Sequence, residues 1–194
     1  MIILASKSQT RQRLLREAGL NFVAIAPEFD EAKAKKSHQT TSAVPLALHL
    51  ATGKAFSLPL PSGKEIIVAA DQTLFCNGKF YSKPETLDEA RQYLIELRNT
   101  VHTLTSVVVC RTAENSLWHF VSKADITFRD FSDQALESYL KHSTPTILQS
   151  VGSYQYEGTG IQLIAEVRGD YHTILGLPIL PLLGYLRIRG LVPK

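Results

Sequence analysis

Apolar runs that stop at polar residues alternate with segments whose apolar residues recur at helical spacing, and two pairs of strand-like runs flank turn sequences. Strands and helices mix along the whole chain, and some strands pair as hairpins. These observations predict an α/β protein with a mixed, strongly twisted sheet, not a simple doubly wound domain. At 194 residues the chain suits one domain, or one domain divided into two lobes around a cleft. Its 44% hydrophobic and 20% charged residues are ordinary for a globular protein.

Residues 2–5 read as a short buried strand, and Ser8 is placed to N-cap a helix whose Leu14, Leu15 and Ala18 form an apolar face before Gly19 stops it. Residues 21–26 predict a second strand ending at Pro27. A mobile polar loop follows, in which Glu28, Asp30 and Glu31 precede Lys33, Lys35 and Lys36. A helix over 42–56 carries Leu46, Ala47 and Leu50 at helical spacing, with Pro45 admissible in its first turn. Beyond a linker at 58–64 rich in turn formers, the apolar run 66–70 predicts a buried strand that ends on Asp71. Residues 73–75 and 79–81 flank Asn77-Gly78, a strong hairpin signal. Thr86-Leu87-Asp88-Glu89 fits a capping box, and Ala90, Tyr93, Leu94 and Leu97 continue that helix. Residues 101–111 and 117–128 predict long paired strands, 132–141 a capped helix burying Leu136, Tyr139 and Leu140, 160–167 a strand, and 178–188 a final apolar helix.

Composition removes several functions. Met1 leads straight into Ile2-Ile3-Leu4-Ala5, which lacks the basic segment of a signal peptide and is too short to span a membrane, so the expected compartment is the cytoplasm. Cys76 and Cys110 have no CxxC spacing, which argues for reduced thiols, at least one of them in the core, and against zinc. A net charge of +3 without a Lys/Arg-rich block argues against nucleic-acid binding.

Asp71 on a rigid strand and Lys83 before Pro84 place an acid and a base where one cleft would use both. Open α/β sheets bind ligands beyond the carboxyl ends of their strands. The bland alternatives are a turn-forming aspartate and a surface lysine. Ser6, Ser8, Arg11 and Arg13 surround a helix N-terminus, a pattern that suits phosphate oxygens, the alternative being a capped helix with a solvated basic face. Lys54 by itself reads as a snorkelling helix lysine. Asp30 and Glu31 read as solvated loop charge, although hard carboxylates near a phosphate site also suit Mg²⁺ or Mn²⁺ held jointly by protein and substrate. Residues 152–160 combine glycines with Tyr154, Tyr156 and Glu157, which suits gripping a planar base or, alternatively, a loop whose tyrosines fill gaps. His102 at a strand start reads as a structural hydrogen-bond partner and is given no chemical role.

Taken in order, Leu4-Ala5-Ser6, Arg11, Leu14-Leu15, Phe29-Asp30-Glu31, Leu50-Ala51, Lys54-Ala55, Ala70-Asp71-Gln72, Lys83-Pro84, Ala90-Arg91, His102, Tyr139, Gly152-Ser153-Tyr154, Glu157-Gly158 and Gly176-Leu177-Pro178 resemble the Maf family of nucleoside triphosphate pyrophosphatases across nearly the whole chain. The resemblance implies a single Maf-like domain over residues 1–194, a two-lobed α/β fold around a cleft similar to inosine triphosphate pyrophosphatases, and a possible homodimer. It also implies a cytoplasmic house-cleaning enzyme, dependent on Mg²⁺ or Mn²⁺, that cleaves noncanonical nucleotides between the α and β phosphates. In that reading Asp71 activates water. Ser6, Arg11, Lys54 and Lys83 hold phosphates, and Glu31 lies near the metal.

The sequence departs from the family pattern at Thr10, where many members carry a second arginine, at Asn99, a usual glycine, and at Ala69, often glycine. Thr10, Gln72 and Glu157 align with the family's substrate-discriminating positions. The dTTP- and UTP-specific branch usually has Thr after the catalytic Asp and Gln in the glycine loop, so Gln72 and Glu157 resemble the 7-methyl-GTP pyrophosphatase branch. A carboxylate matches the N1–H and N2–H donors of guanine and favours a methylated, cationic ring. That branch often places a stacking Trp at the Thr10 position. Two other readings compete: a nucleotide-binding regulator of cell division without catalysis, and a polyanion-binding module using the basic first helix.

Overall fold

The computed structural model describes residues 1–38, 40–143 and 146–193. In chain order they form β1 (Ile2–Ala5), α1 (Gln9–Glu17), β2 (Phe22–Ile25), α2 (Glu31–Ser37), α3 (Ala43–Phe56), β3 (Ile66–Cys76), β4 (Lys79–Tyr81), α4 (Leu87–Leu97), β5 (Val101–Thr112), β6 (Leu117–Phe128), α5 (Asp133–Ser143), β7 (Ile164–Arg168), α6 (Tyr171–Ile174) and α7 (Ile179–Ile188). The sheet order is β2-β1-β3-β5-β6-β7, with β4 on β3. β1 runs parallel to β2 and β3, whereas β3–β4 and β6–β7 are antiparallel, so the sheet is mixed as the sequence predicts. No helix among the described residues is long and apolar enough to cross a membrane.

Two compact units are present, one comprising Met1–Gln72, Thr105–Ser122 and Tyr171 onward, the other Thr73–Leu104 and Lys123–Asp170. In the first, strand alternation sends successive side chains to opposite faces. Ile66, Val68 and Ala70 of β3 pack with Leu14 and Leu15 of α1 and Leu182 and Leu186 of α7. Ile67 and Ala69 pack on the other face against Ala47, Ala51 and Ala55 of α3. The alanines of α3 let that helix lie close to the sheet.

Three sequence expectations need correction. β3 does not end at Asp71 but continues to Cys76, because Thr73 and Leu74 are buried and carry the extended chain into the β4 hairpin. It is β1 that stops, its pairing with β3 closing at Leu4 opposite Val68, so Asp71 lies past the carboxyl end of β1. The expected loop containing residues 28–36 holds α2, whose N-cap Asp30 accepts a hydrogen bond from Lys33 N at 2.9 Å. Glu31 in its first turn and Lys35 and Lys36 in its last complement the helix dipole. The strand expected over 160–167 starts only at Ile164, the preceding Thr159–Leu163 being a 3-10 turn.

The N-caps predicted at Ser8 and Thr86 form, and the Glu89 side chain of the expected capping box accepts from Glu85 N at 2.7 Å, one residue before the cap. Ser8 accepts from Arg11 N at 3.3 Å and Thr86 from Glu89 N at 3.1 Å. Asn99, at the family's glycine position, adopts a φ of 54°, a left-handed conformation that Asn tolerates better than most residues. Both cysteines are free and buried.

Candidate active site

The alternation of β3 decides what each of two adjacent residues can touch. Asp71 follows Ile67 and Ala69 onto the α3 face, where Lys54 Nζ donates to its Oδ1 at 2.5 Å. The same Nζ lies 2.8 Å from Glu31 Oε1 at the start of α2. Lys54 and Asp71 are buried, at 7% and 5% exposure, while the Glu31 side chain is half exposed. A buried ion pair costs several kcal/mol in desolvation per ion before its own attraction offsets that loss. Its presence therefore calls for an explanation other than stability.

Ser6 and Arg11 complete the charged edge. Ser6 is buried directly after β1, and its Oγ accepts from Ser8 N at 3.1 Å, shaping the turn into α1. Arg11, one turn into α1, donates from Nε to the Gly176 carbonyl at 2.9 Å. Burial lowers the pKa of its guanidinium, and the charges of Asp71 and Glu31 oppose that shift, which places all three in one electrostatic neighbourhood. Thr10 is half-buried on the same helix. Gln72 points to the α1 face, opposite Asp71. Its amide nitrogen donates to Ser106 Oγ at 3.0 Å and to the carbonyls of Thr173 and Ile174 at 2.9 and 3.0 Å.

Lys83 and Glu157 belong to the second unit, and both are exposed. Gly152 N donates to the Ser82 carbonyl at 3.3 Å, so the glycine segment and the chain entering Lys83 are tied together there. Tyr154 does not serve as a base-gripping aromatic. It is buried against Phe128, with its hydroxyl 2.7 Å from His102 Nε2. Of the two readings of this segment, gap filling holds for Tyr154. Burial pushes His102 down to about 4, keeping the imidazole neutral.

Several positioning residues have no obvious sequence signal. A Cβ at Gly53 would meet the Phe29 ring at 2.2 Å, so the absence of a side chain beside Lys54 is what lets Phe29 dock the start of α2 and bring Glu31 to the lysine. Arg111 holds the far end of α3 by donating to the carbonyls of Ala55 and Leu58, at 3.4 and 3.2 Å, with its guanidinium 4.2 Å from the Phe56 ring centroid. Ser106 is a further example. Only side-chain contacts between distant segments reveal them.

The fold and site define an α/β protein with a buried charged centre just past the end of a parallel strand, beside a capped helix start. The chain belongs to the family of Maf-like proteins, whose sequence pattern matches residues 1–188. A nucleoside triphosphate pyrophosphatase of Rhodospirillum rubrum is 42% identical over 194 residues, covering 98% of this chain and 96% of its own. One from Nitrobacter hamburgensis is 40% identical, covering 98% and 95%. A 7-methyl-GTP pyrophosphatase of Rhizobium meliloti is 39% identical, covering 99% and 98%.

Proposed function

We propose that this chain is a nucleoside triphosphate pyrophosphatase that hydrolyses the α–β phosphate bond of a modified nucleotide, with 7-methyl-GTP as the leading substrate. The Glu31–Lys54–Asp71 cluster, its lysine and aspartate buried, beside Ser6 and Arg11 carries the proposal. The names of relatives at 39–42% identity support it.

Water is a poor nucleophile, and departing pyrophosphate gathers negative charge, so the reaction needs a base on one side and cations on the other. Asp71 takes the proton of a water whose oxygen attacks the α phosphorus, giving a monophosphate and pyrophosphate. Lys54, by bonding Oδ1, fixes the direction of that carboxylate and brings a cation to the phosphates. Arg11, the start of α1 after Ser6, and Lys83 supply further phosphate contacts.

Glu31 and Asp71 both bond Lys54 Nζ, so their carboxylates lie near one another, and hard carboxylate oxygens are the donor type of Mg²⁺ or Mn²⁺. Among the described residues no group of three or more His, Cys, Asp or Glu side chains is placed to hold a metal ion. The pair fits an ion whose remaining ligands are phosphate oxygens and water. Bound there, the ion would neutralise charge on the leaving pyrophosphate.

For the base, Glu157 is the selecting residue, its carboxylate accepting from guanine N1–H and N2–H and repelling the carbonyl-rich edge of uracil. Pyrophosphate release from 7-methyl-GTP, GTP, dTTP and UTP with Mg²⁺ or Mn²⁺ tests the reading. The expected result is turnover with 7-methyl-GTP ranked first. Binding without turnover across the panel would instead favour a regulatory nucleotide-binding protein.

A further inference from the structure

We infer that Gln72 is a positioning residue for Arg11, acting through the turn that follows α6; the inference rests on the proposed pyrophosphatase reading. Gln72 neighbours Asp71 in sequence, yet the pleat of β3 sends it to the opposite face, towards α1. Its amide donors are committed there to Ser106 Oγ and to the carbonyls of Thr173 and Ile174. Ser106 Oγ, on the same face of β5, donates in turn to the Thr173 carbonyl at 2.7 Å, and Thr173 Oγ1 donates to Ser122 Oγ at 2.7 Å. The carbonyl end of α6 is thus pinned to the sheet by side chains of three strands.

That pinning reaches Arg11 directly. Gly176 N donates to the Thr173 carbonyl at 3.1 Å, closing the turn, and the Gly176 carbonyl accepts from Arg11 Nε at 2.9 Å. Gly176 has a φ of 85°, and a Cβ there would lie 3.3 Å from Arg11 Nη2 and 3.6 Å from the Gln72 amide carbon. A side chain at position 176 would crowd the guanidinium, rest in ordinary contact with the amide and strain the backbone at this positive φ. With Nε fixed by a carbonyl, the guanidinium plane is set, and its terminal nitrogens act as a fork for a phosphate oxygen pair. The residue after the base therefore aims the phosphate clamp.

The test compares wild type, Gln72→Met, Arg11→Gln and the double variant. Methionine keeps the length of the side chain and removes its donors. Hydrogen exchange at Arg11 Nε, followed by NMR, reads positioning without any need for turnover. Binding of inorganic pyrophosphate and kcat/KM read its consequence. Gln72→Met is expected to speed Nε–H exchange and to lower pyrophosphate affinity, each about tenfold, with the nucleotide ranking unchanged and no further loss in the Arg11→Gln background. Gly176→Ala keeps Gln72 intact but crowds Arg11, and it should reproduce both changes. Unchanged Nε–H exchange in Gln72→Met and Gly176→Ala, losses that add to those of Arg11→Gln, or a reordered nucleotide ranking would each overturn the inference. A wild type that releases no pyrophosphate from any nucleotide counts against the proposed activity instead, and the exchange measurement still decides the role of Gln72.

Discussion

Lys54 in the first unit and His102 in the second are both buried nitrogen bases, yet their surroundings treat them in opposite ways. Lys54 has two carboxylates within 2.8 Å. His102 has a phenol hydroxyl at 2.7 Å and two aromatic rings packed against it, and burial holds it neutral. The first environment keeps opposite charges together just past the carboxyl end of β1. The second fills a core with uncharged groups, one ring nitrogen of His102 bonded to Tyr154 and the other, Nδ1, buried without a hydrogen-bond partner. A buried polar residue is thus a sign of chemistry only where its partners are charged and a strand end is near.

The largest test of this contrast is Lys54→Met. Removing the ammonium leaves Asp71 buried without its partner, which should destabilise the protein by about 3–5 kcal/mol in urea unfolding and abolish turnover. If stability and activity both survive, the ion pair is incidental.

His102 predicts a pH dependence with a definite sign. Its folded pKa, about 4, lies below the 6.5 of the unfolded chain, so its contribution is complete above pH 6.5 and is lost as pH falls towards 4. The full loss is about 3 kcal/mol at 1.36 kcal/mol per pKa unit. Urea midpoints measured between those limits should fall for wild type and stay flatter for His102→Gln. A variant with the wild-type slope would assign the effect to other groups.

Glu157→Gln should have the smallest effect. Its side chain is exposed, so the unfolding midpoint should shift little, while preference for 7-methyl-GTP over UTP should drop about tenfold. An unchanged ratio would remove Glu157 from base selection.

Much of this was legible in the chain because local rules dominate. Ser8, Asp30 and Thr86 cap helices, and Asn77-Gly78 closes a hairpin between β3 and β4. The helix at 31–37 was readable from the same capping and charge pattern, but a run of mixed charges hid it as loop. The misplaced end of β3 has a different cause. A charged residue after five apolar ones mimics a strand end, and only the pairing partners show that the strand continues while β1 stops. Lys54 by itself reads as a snorkelling helix lysine because helical spacing says nothing about what lies across from it. The work of Gln72, Gly53, Gly176 and Arg111 depends on contacts between distant segments, so residue type and spacing could not reveal it.

The most direct test of the central claim is pyrophosphate release from 7-methyl-GTP by Asp71→Asn, which preserves shape and removes the base. A folded variant whose turnover falls by about 10²–10⁴-fold, with nucleotide binding retained, is the predicted result. A folded variant with wild-type turnover would contradict the claim that Asp71 activates water.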